Sequence, residues 1–298
     1  MKNILFIHNT TATWIDNDFS ILKEKFSVKK ILISKSNFIK LSHVKNVWNS
    51  DLVYCWFGSL SFLPIVSLAF LLRKKTIIVA GGFDVASYSK ENYGAFSSSF
   101  SFFSKSLRKI LFKMATGIFT VSEFTNNEAL KNLNCNPRKL FVIKNCLPEL
   151  KNQVKVTLDR SSSVLMISNI DNLRFRLKGF DRFIKLCHLM PKIQFTHVGK
   201  ISHEVLEQVQ LPPNLVLKGY LNEEVIREIC LDHKIILQLS RYESFCLAIV
   251  EGASYGCFPV VSSEGALREV VEGIGLSLDA KDLNHVARCV NDILNQNI

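Results

Sequence analysis

Ile235-Ile236-Leu237-Gln238-Leu239-Ser240-Arg241-Tyr242-Glu243-Ser244-Phe245-Cys246-Leu247-Ala248-Ile249-Val250-Glu251 reads as one strand, one loop and one helix. The opening five residues are a nearly continuous apolar run, the pattern of a strand covered on both faces. Ser240 to Glu243 is polar and makes the loop. From Ser244 onward the spacing is helical, with the Ser244 hydroxyl placed to cap the first turn. That turn, at about Phe245, Cys246 and Leu247, offers backbone N–H groups and the positive end of a helix dipole, an anion site suited to a diphosphate. Glu251 follows Leu247 by one turn on the same face, and Glu243 precedes the helix and reaches over its N-terminus. Two carboxylates thus flank the helix end, placed to accept hydrogen bonds from a sugar on one side and a ribose on the other.

The same strand–helix alternation extends outward through the chain. Strands are predicted at 3–7, 29–33, 51–55, 76–80, 117–121 and 140–143, then at 164–168, 193–198, 215–217, 235–239, 258–261 and 276–278. Strand, helix, strand repeated this often implies a doubly wound α/β architecture. The segment 147–163, with Pro148, several charges and Ser161-Ser162-Ser163, reads as a linker. It divides the chain into domains 1–150 and 151–298, two Rossmann-like halves expected to face a central cleft. In such sheets ligands bind beyond the carboxyl ends of the strands.

Composition agrees with a globular α/β protein. The 298 residues are 48% apolar and 21% charged, enough for two ordinary domains with real cores. The longest apolar run, 60–72, is interrupted by Pro64 and Ser67. It is shorter than the roughly 20 residues a bilayer needs, and predicts a buried helix. The apolar start after Met1-Lys2-Asn3 is too short for a signal peptide and reads as the first strand. Eight cysteines stand singly, without a Cys-x-x-Cys pair, which suggests reduced core thiols in a cytoplasmic protein. The seven dispersed histidines give zinc little support. Residues 1–150 carry 20 Lys/Arg against 9 Asp/Glu, whereas residues 151–298 carry 17 of each. The entire basic excess lies in the N-terminal half, which fits an anionic membrane face, nucleic acid, or a solvated basic surface with no partner.

The register around Glu243 and Glu251 resembles the signature of retaining GT-B glycosyltransferases, glycosyltransferase family 4 or glycosyl transferases group 1. The continuation fits as well: Gly252-Ala253-Ser254-Tyr255-Gly256-Cys257-Phe258-Pro259-Val260-Val261 is similar to the family's small-residue helix, glycine turn and Pro-Val strand. Glu264-Gly265-Ala266-Leu267-Arg268-Glu269-Val270-Val271 resembles its ending. Upstream, Leu177-Lys178-Gly179-Phe180-Asp181 matches its Lys-Gly segment, which implies that Lys178 contacts the donor diphosphate. The family's arginine six positions earlier is Asn172 here, so Arg174 or Arg176 is expected to take its place. Val198-Gly199-Lys200 and Leu217-Lys218-Gly219-Tyr220 resemble its two glycine turns near the base, which adds Gly199 and Tyr220 to the donor-site candidates beside Ser244, Phe245, Cys246 and Leu247.

The N-terminal half resembles the family less. Phe119-Thr120-Val121-Ser122-Glu123 and Val142-Ile143-Lys144-Asn145 match its landmarks, but Cys146 follows where glycine is usual. In place of the family's histidine after the fourth strand stands Val79-Ala80-Gly81-Gly82-Phe83-Asp84. Asp84 either acts on the acceptor or caps a helix beginning at Val85. Gly82, His8 and Asn9 are acceptor-site candidates at strand ends. Asp16-Asn17-Asp18 sits after the wrong strand for a metal-binding Asp-x-Asp and is read as capping or solvated, so no metal is expected. Phenylalanines and basic residues at 96–112 form an amphipathic pattern suited to an anionic membrane surface, with an ordinary domain helix and a solvated basic face as the competing reading. No nucleic-acid motif accompanies it.

The resemblance implies an enzyme that needs no cofactor. It moves a hexosyl group, with retention, from a nucleotide-diphosphate sugar to a glycan or lipid-linked acceptor hydroxyl in surface polysaccharide assembly, peripherally on the inner membrane face. Glu251 would hold the ribose, Glu243 the sugar, and Lys178 with an arginine the leaving diphosphate. The departures at Asn172 and at Gly81-Gly82, and a chain end at Ile298 that leaves little for a crossing helix, keep two alternatives open: a non-catalytic partner or nucleotide-sugar-binding subunit of the same shape, and a nucleotide-sugar epimerase.

Overall fold

The computed structural model describes residues 1–33, 41–147 and 160–296. The chain divides into two compact units, Met1–Pro148 and Glu149–Ile298. The boundary expected after residue 150, and most of the linker expected around it, lie outside the described residues. Ser161, Ser162 and Ser163 are not linker: they open a strand, because Ser163 pairs with Gln194 and continues directly into the apolar run Val164 to Ile167.

In the N-terminal unit the strands are β1 (Asn3–His8), β2 (Ser27–Leu32), β3 (Leu52–Trp56), β4 (Lys75–Ala80), β5 (Gly117–Thr120) and β6 (Leu140–Val142). They form one parallel sheet ordered β2-β1-β3-β4-β5-β6, with Ile4 opposite Leu52 and Ile7 opposite Cys55. Alternate residues go to opposite faces. Leu5, Ile7, Val53, Cys55, Ile78 and Ala80 pack under the helices Leu63–Leu71 and Phe102–Met114. On the other face Phe6 stacks on Tyr54 at 5.3 Å and meets Phe19 of the helix Thr13–Lys25 edge-on at 5.8 Å.

That helix corrects the reading of Asp16-Asn17-Asp18. The three residues lie inside it, Asp16 pairs with Lys30, and Asp18 accepts hydrogen bonds from Tyr54 Oη and Trp56 Nε1, each at 2.9 Å. Asp18 is thus an anchor between helix and sheet, not a solvated cap. The run 60–72 also differs from a simple buried helix. A short 3-10 turn, Leu60–Phe62, leads into the helix Leu63–Leu71, which buries Ile65, Val66 and Ala69 while Phe70 and Leu71 face outward. Among the described residues no helix is long and apolar enough to cross a membrane.

The C-terminal unit holds β7 (Ser161–Ile167), β8 (Gln194–Val198), β9 (Leu215–Leu217), β10 (His233–Gln238), β11 (Phe258–Ser262) and β12 (Leu276–Leu278). Its parallel sheet runs β12-β11-β10-β7-β8-β9. Counted within the unit this is 6-5-4-1-2-3, the order of dinucleotide-binding domains, with a switch point between β7 and β10. The apolar runs are continuous because both faces are covered. Val164, Met166, Ile235, Leu237 and Val260 pack with the helices Phe180–Leu189 and Leu283–Asn295. Leu165, Ile236 and Val261 pack with Cys230 of Glu223–Asp232 and Ile249 of Leu247–Ser254. Each fully buried aliphatic or aromatic side chain contributes roughly 1.5–3 kcal/mol. The eight cysteines are free thiols, and Cys55, Cys187, Cys230 and Cys257 are core residues.

Candidate functional site

At the switch point β7 and β10 are neighbours whose connecting helices leave in opposite directions, so their carboxyl ends open a crevice. The loop after β10 enters it. Glu243 in that loop is 6% exposed, and Lys178 Nζ lies 2.7 and 2.8 Å from its two carboxylate oxygens. Ser240 Oγ donates to Oε1 at 3.0 Å. The sequence separated Lys178 and Glu243 by 65 positions, and the fold brings them into one ion pair. Lys178 is held where the helix Asn172–Leu177 ends against β10. There Gly179 has φ +72°, and a Cβ on it would stand 2.0 Å from the Leu239 carbonyl oxygen. Only glycine permits both the left-handed turn and that approach.

The helix after the loop starts later than expected. It spans Leu247–Ser254, and its N-cap is Cys246 in the left-handed region at φ +83°, not Ser244. Phe245, read as first-turn helix, is a buried loop residue. A non-glycine residue in the conformation of Cys246 costs on the order of 1–3 kcal/mol, a strain found where surrounding packing over-determines a site. Burial pushes the Cys246 thiol up to about 12, and the nearby Glu243 carboxylate adds to the shift. The N–H groups of Leu247 and Ala248 have no intrahelical acceptor, so the helix end read as a candidate anion site lies one or two residues further along than expected. Glu251 lies on this helix, half-buried. Burial first, and then the Glu223 carboxylate, raise its pKa.

The two candidate arginines make local contacts. Arg174 is exposed and gives both its backbone N–H and its guanidinium to Asp171, the N-cap of its own helix. Arg176 is exposed, and its carbonyl accepts from Arg241. Other cations build the crevice. Arg241 makes a two-pronged pair with Asp181, both contacts at 2.7 Å. Arg182, buried, donates to the Leu239 carbonyl at 3.0 Å and to Glu264 at 2.5 Å. Across the next loop Gly199 has φ +130°, and its N–H donates to the Gly219 carbonyl at 2.8 Å. A Cβ there would stand 2.1 Å from the Ser168 carbonyl oxygen at the end of β7. Tyr220 is 70% exposed, with Lys200 Nζ 5.3 Å from its ring centre.

In the N-terminal unit the candidates gather after β1, β3 and β4. His8 is buried, with Nδ1 donating to the Thr10 carbonyl at 2.7 Å, and Asn9 is exposed. No helix begins at Val85: Val85 and Ala86 both donate to the Gly82 carbonyl in a turn, so Asp84 is no helix cap. Its carboxylate is 2% exposed and accepts from the N–H groups of Gly58 at 2.7 Å and Gly82 at 3.0 Å. Arg108 donates to the Gly58 carbonyl. Burial raises the Asp84 pKa, opposed by the Gly58 N–H and by Arg108. Asp84 therefore ties the β3 and β4 loops together, and Arg108 carries the tie into the helix Phe102–Met114. That helix is shorter than the amphipathic stretch expected from 96: Phe96 is buried in the preceding loop, while Phe102 (85% exposed), Phe103 (71%) and Ile110 face outward.

The sequence reading missed Gln238, Arg182, Arg241 and Glu264. One signal for the first was available, a glutamine inside an apolar strand. Among the described residues no three His, Cys, Asp or Glu side chains converge as a metal site.

Residues 158–298 match the family described as glycosyl transferases group 1. A phosphatidylinositol N-acetylglucosaminyltransferase subunit of Arabidopsis thaliana is 25% identical over 179 residues, covering 57% of this chain and 40% of that protein. The chain thus matches well under half the length of this relative. The crystal structure of Anabaena HepE in complex with UDP and glucose superposes with a TM-score of 0.71 at 15% identity, covering 99% of this chain and 90% of that one. The lipopolysaccharide outer core galactosyltransferase WaaB gives a TM-score of 0.68 at 14% identity, covering 98% and 90%. The fold is GT-B.

Proposed function

We propose that this chain, whose residues 158–298 match the glycosyl transferases group 1 family, transfers a hexosyl group from a nucleotide-diphosphate sugar to a hydroxyl acceptor with retention of configuration. The observation that carries this reading is the Lys178–Glu243 pair beside the start of the helix Leu247–Ser254, at the switch point of a dinucleotide-type sheet. In the reaction Lys178 turns its ammonium to the diphosphate, where a charge-assisted bond contributes about 1.5–3 kcal/mol. The first N–H groups of the helix share that task, with Arg174 or Arg176 released from its local contacts. These groups meet the negative charge that grows on the leaving diphosphate, which makes a metal unnecessary. Glu243 receives the sugar hydroxyls and Glu251 those of the ribose. Gly199 and Tyr220 line the base end.

His8, Asn9 and Gly82 are the acceptor-side residues of this proposal, with Asp84 fixing the loop that carries Gly82. A UDP-and-glucose complex of HepE, and the named activities of the phosphatidylinositol and lipopolysaccharide relatives, support a nucleotide-sugar donor and a lipid-linked or surface-glycan acceptor. Outward Phe102 and Phe103 on a basic helix support peripheral binding to an anionic membrane face.

The test is incubation with UDP-, GDP- and ADP-sugars. Free nucleotide released by the parent chain and lost in Glu243→Ala and Lys178→Ala is expected. An altered sugar with no release points instead to epimerisation, and binding without turnover to a non-catalytic partner. Undiminished turnover in both variants contradicts the assignment.

A further inference from the structure

We propose that Gln238 and Ser240 are positioning residues that set Glu243 and Lys178 in their working orientation, an inference that rests on the donor-site reading above. Gln238 is the last residue of β10 and is 2% exposed. A buried amide is costly unless its hydrogen bonds are met. Its Nε2 lies 2.8 Å from the Lys178 carbonyl and 2.7 Å from Ser240 Oγ. A carbonyl oxygen only accepts, so the amide nitrogen faces it, and its two N–H groups are spent one on each partner.

Proton counting then gives the network a direction. Ser240 is fully buried, and its hydroxyl has a single proton. Oγ lies 3.0 Å from Glu243 Oε1 and 3.3 Å from the Lys178 carbonyl. The amide already serves that carbonyl, and a carboxylate is the stronger acceptor. The proton therefore goes to Glu243, while Oγ accepts from Gln238. Ser262 Oγ donates to the Ser240 carbonyl at 2.5 Å and holds the loop from behind.

One amide on the strand thus sets both the carboxylate and the backbone from which Lys178 projects. When Lys178 swings to a diphosphate, Ser240 still holds Oε1, which leaves Oε2 aimed at a sugar hydroxyl. Satisfied buried networks of this kind rigidify the groups they join.

Two measurements test the proposal. In the ligand-free chain, a denaturant double-mutant cycle between Ser240→Ala and Glu243→Ala, each of which removes one end of the bond, reads it directly. A coupling of about threefold or more in the unfolding constant is expected, and additive effects overturn the chain of bonds. For turnover, Ser240→Ala and Gln238→Met are assayed for nucleotide release from UDP-glucose, UDP-N-acetylglucosamine, GDP-mannose and ADP-glucose. The expected result is kcat down about tenfold with KM within about twofold, the mark of lost alignment and not lost binding. Unchanged kcat in both variants overturns the positioning role. A parent chain silent on all four sugars defeats the donor-site reading instead, and the cycle still decides whether the bonds exist.

Discussion

The two units share a plan, six parallel strands with helices on both faces, yet they spend their charged residues in opposite ways. In the C-terminal unit the charges around the crevice balance locally: Lys178 with Glu243, Arg182 with Glu264, Arg241 with Asp181. Its 17 basic and 17 acidic residues after position 150 cancel. In the N-terminal unit, where the basic excess lies, the buried groups at the strand ends work through backbone: Asp84 holds Gly58 and Gly82 N–H groups while Arg108 holds the Gly58 carbonyl. The first arrangement gathers charged side chains at the strand ends of one sheet. The second fixes loop shape. Under the proposed function the first would receive the donor diphosphate and the second would shape the acceptor side.

The contrast can be broken most severely at its centre. Glu243→Ala or Lys178→Ala should lower donor turnover on the order of 10²–10³-fold, while His8→Ala lowers transfer to acceptor and leaves donor hydrolysis intact; equal losses of hydrolysis in all three would erase the division of labour. Next in size is Asp84→Ala. It strands the buried N–H groups of Gly58 and Gly82, so urea unfolding should show a loss of about 3 kcal/mol, with little change if the tie is dispensable.

A smaller effect concerns the outer face of the basic helix. Phe102→Ser with Phe103→Ser should weaken sedimentation with phosphatidylglycerol vesicles about tenfold, whereas Ile274→Ser, an exposed apolar residue of the other unit, should not. Smallest is a pH effect at Glu251. Its folded-state pKa is raised by burial and by Glu223, so the folded chain keeps a proton that the unfolded chain has lost, and stability falls as pH rises above the ordinary carboxylate range. Glu251→Gln removes that dependence. It should melt above the parent at pH 7, with the advantage gone at pH 4; a constant difference would assign the shift elsewhere.

Much of this was legible in the sequence because parallel strands buried on both faces leave continuous apolar runs. The run Ile235 to Leu239 signalled its strand, and Gly199 was read as a turn, where the structure gives φ +130°; the left-handed turn at Gly179 and its close approach to Leu239 were not read. The Ser161 to Ser163 strand start was missed because its hydroxyls hide it: Ser161 Oγ pairs with Ser163 Oγ at 2.6 Å and with the Asp232 carbonyl at 2.8 Å, and paired serines look like linker in one dimension. The helix start at Leu247 was misplaced for a related reason. Ser244 is the obvious cap by residue type, but the left-handed turn at Cys246 has no compositional mark. Asp18, Arg182 and Arg241 take their partners from distant segments, which spacing along the chain does not encode.

The most direct measurement is calorimetric titration of UDP, GDP and ADP into the parent chain and Lys178→Ala. One nucleotide should bind the parent and bind the variant about ten to a hundred times more weakly, the loss of one charge-assisted contact of about 1.5–3 kcal/mol. Absence of binding by all three, or equal binding by parent and variant, would contradict a donor site at Lys178 and Glu243.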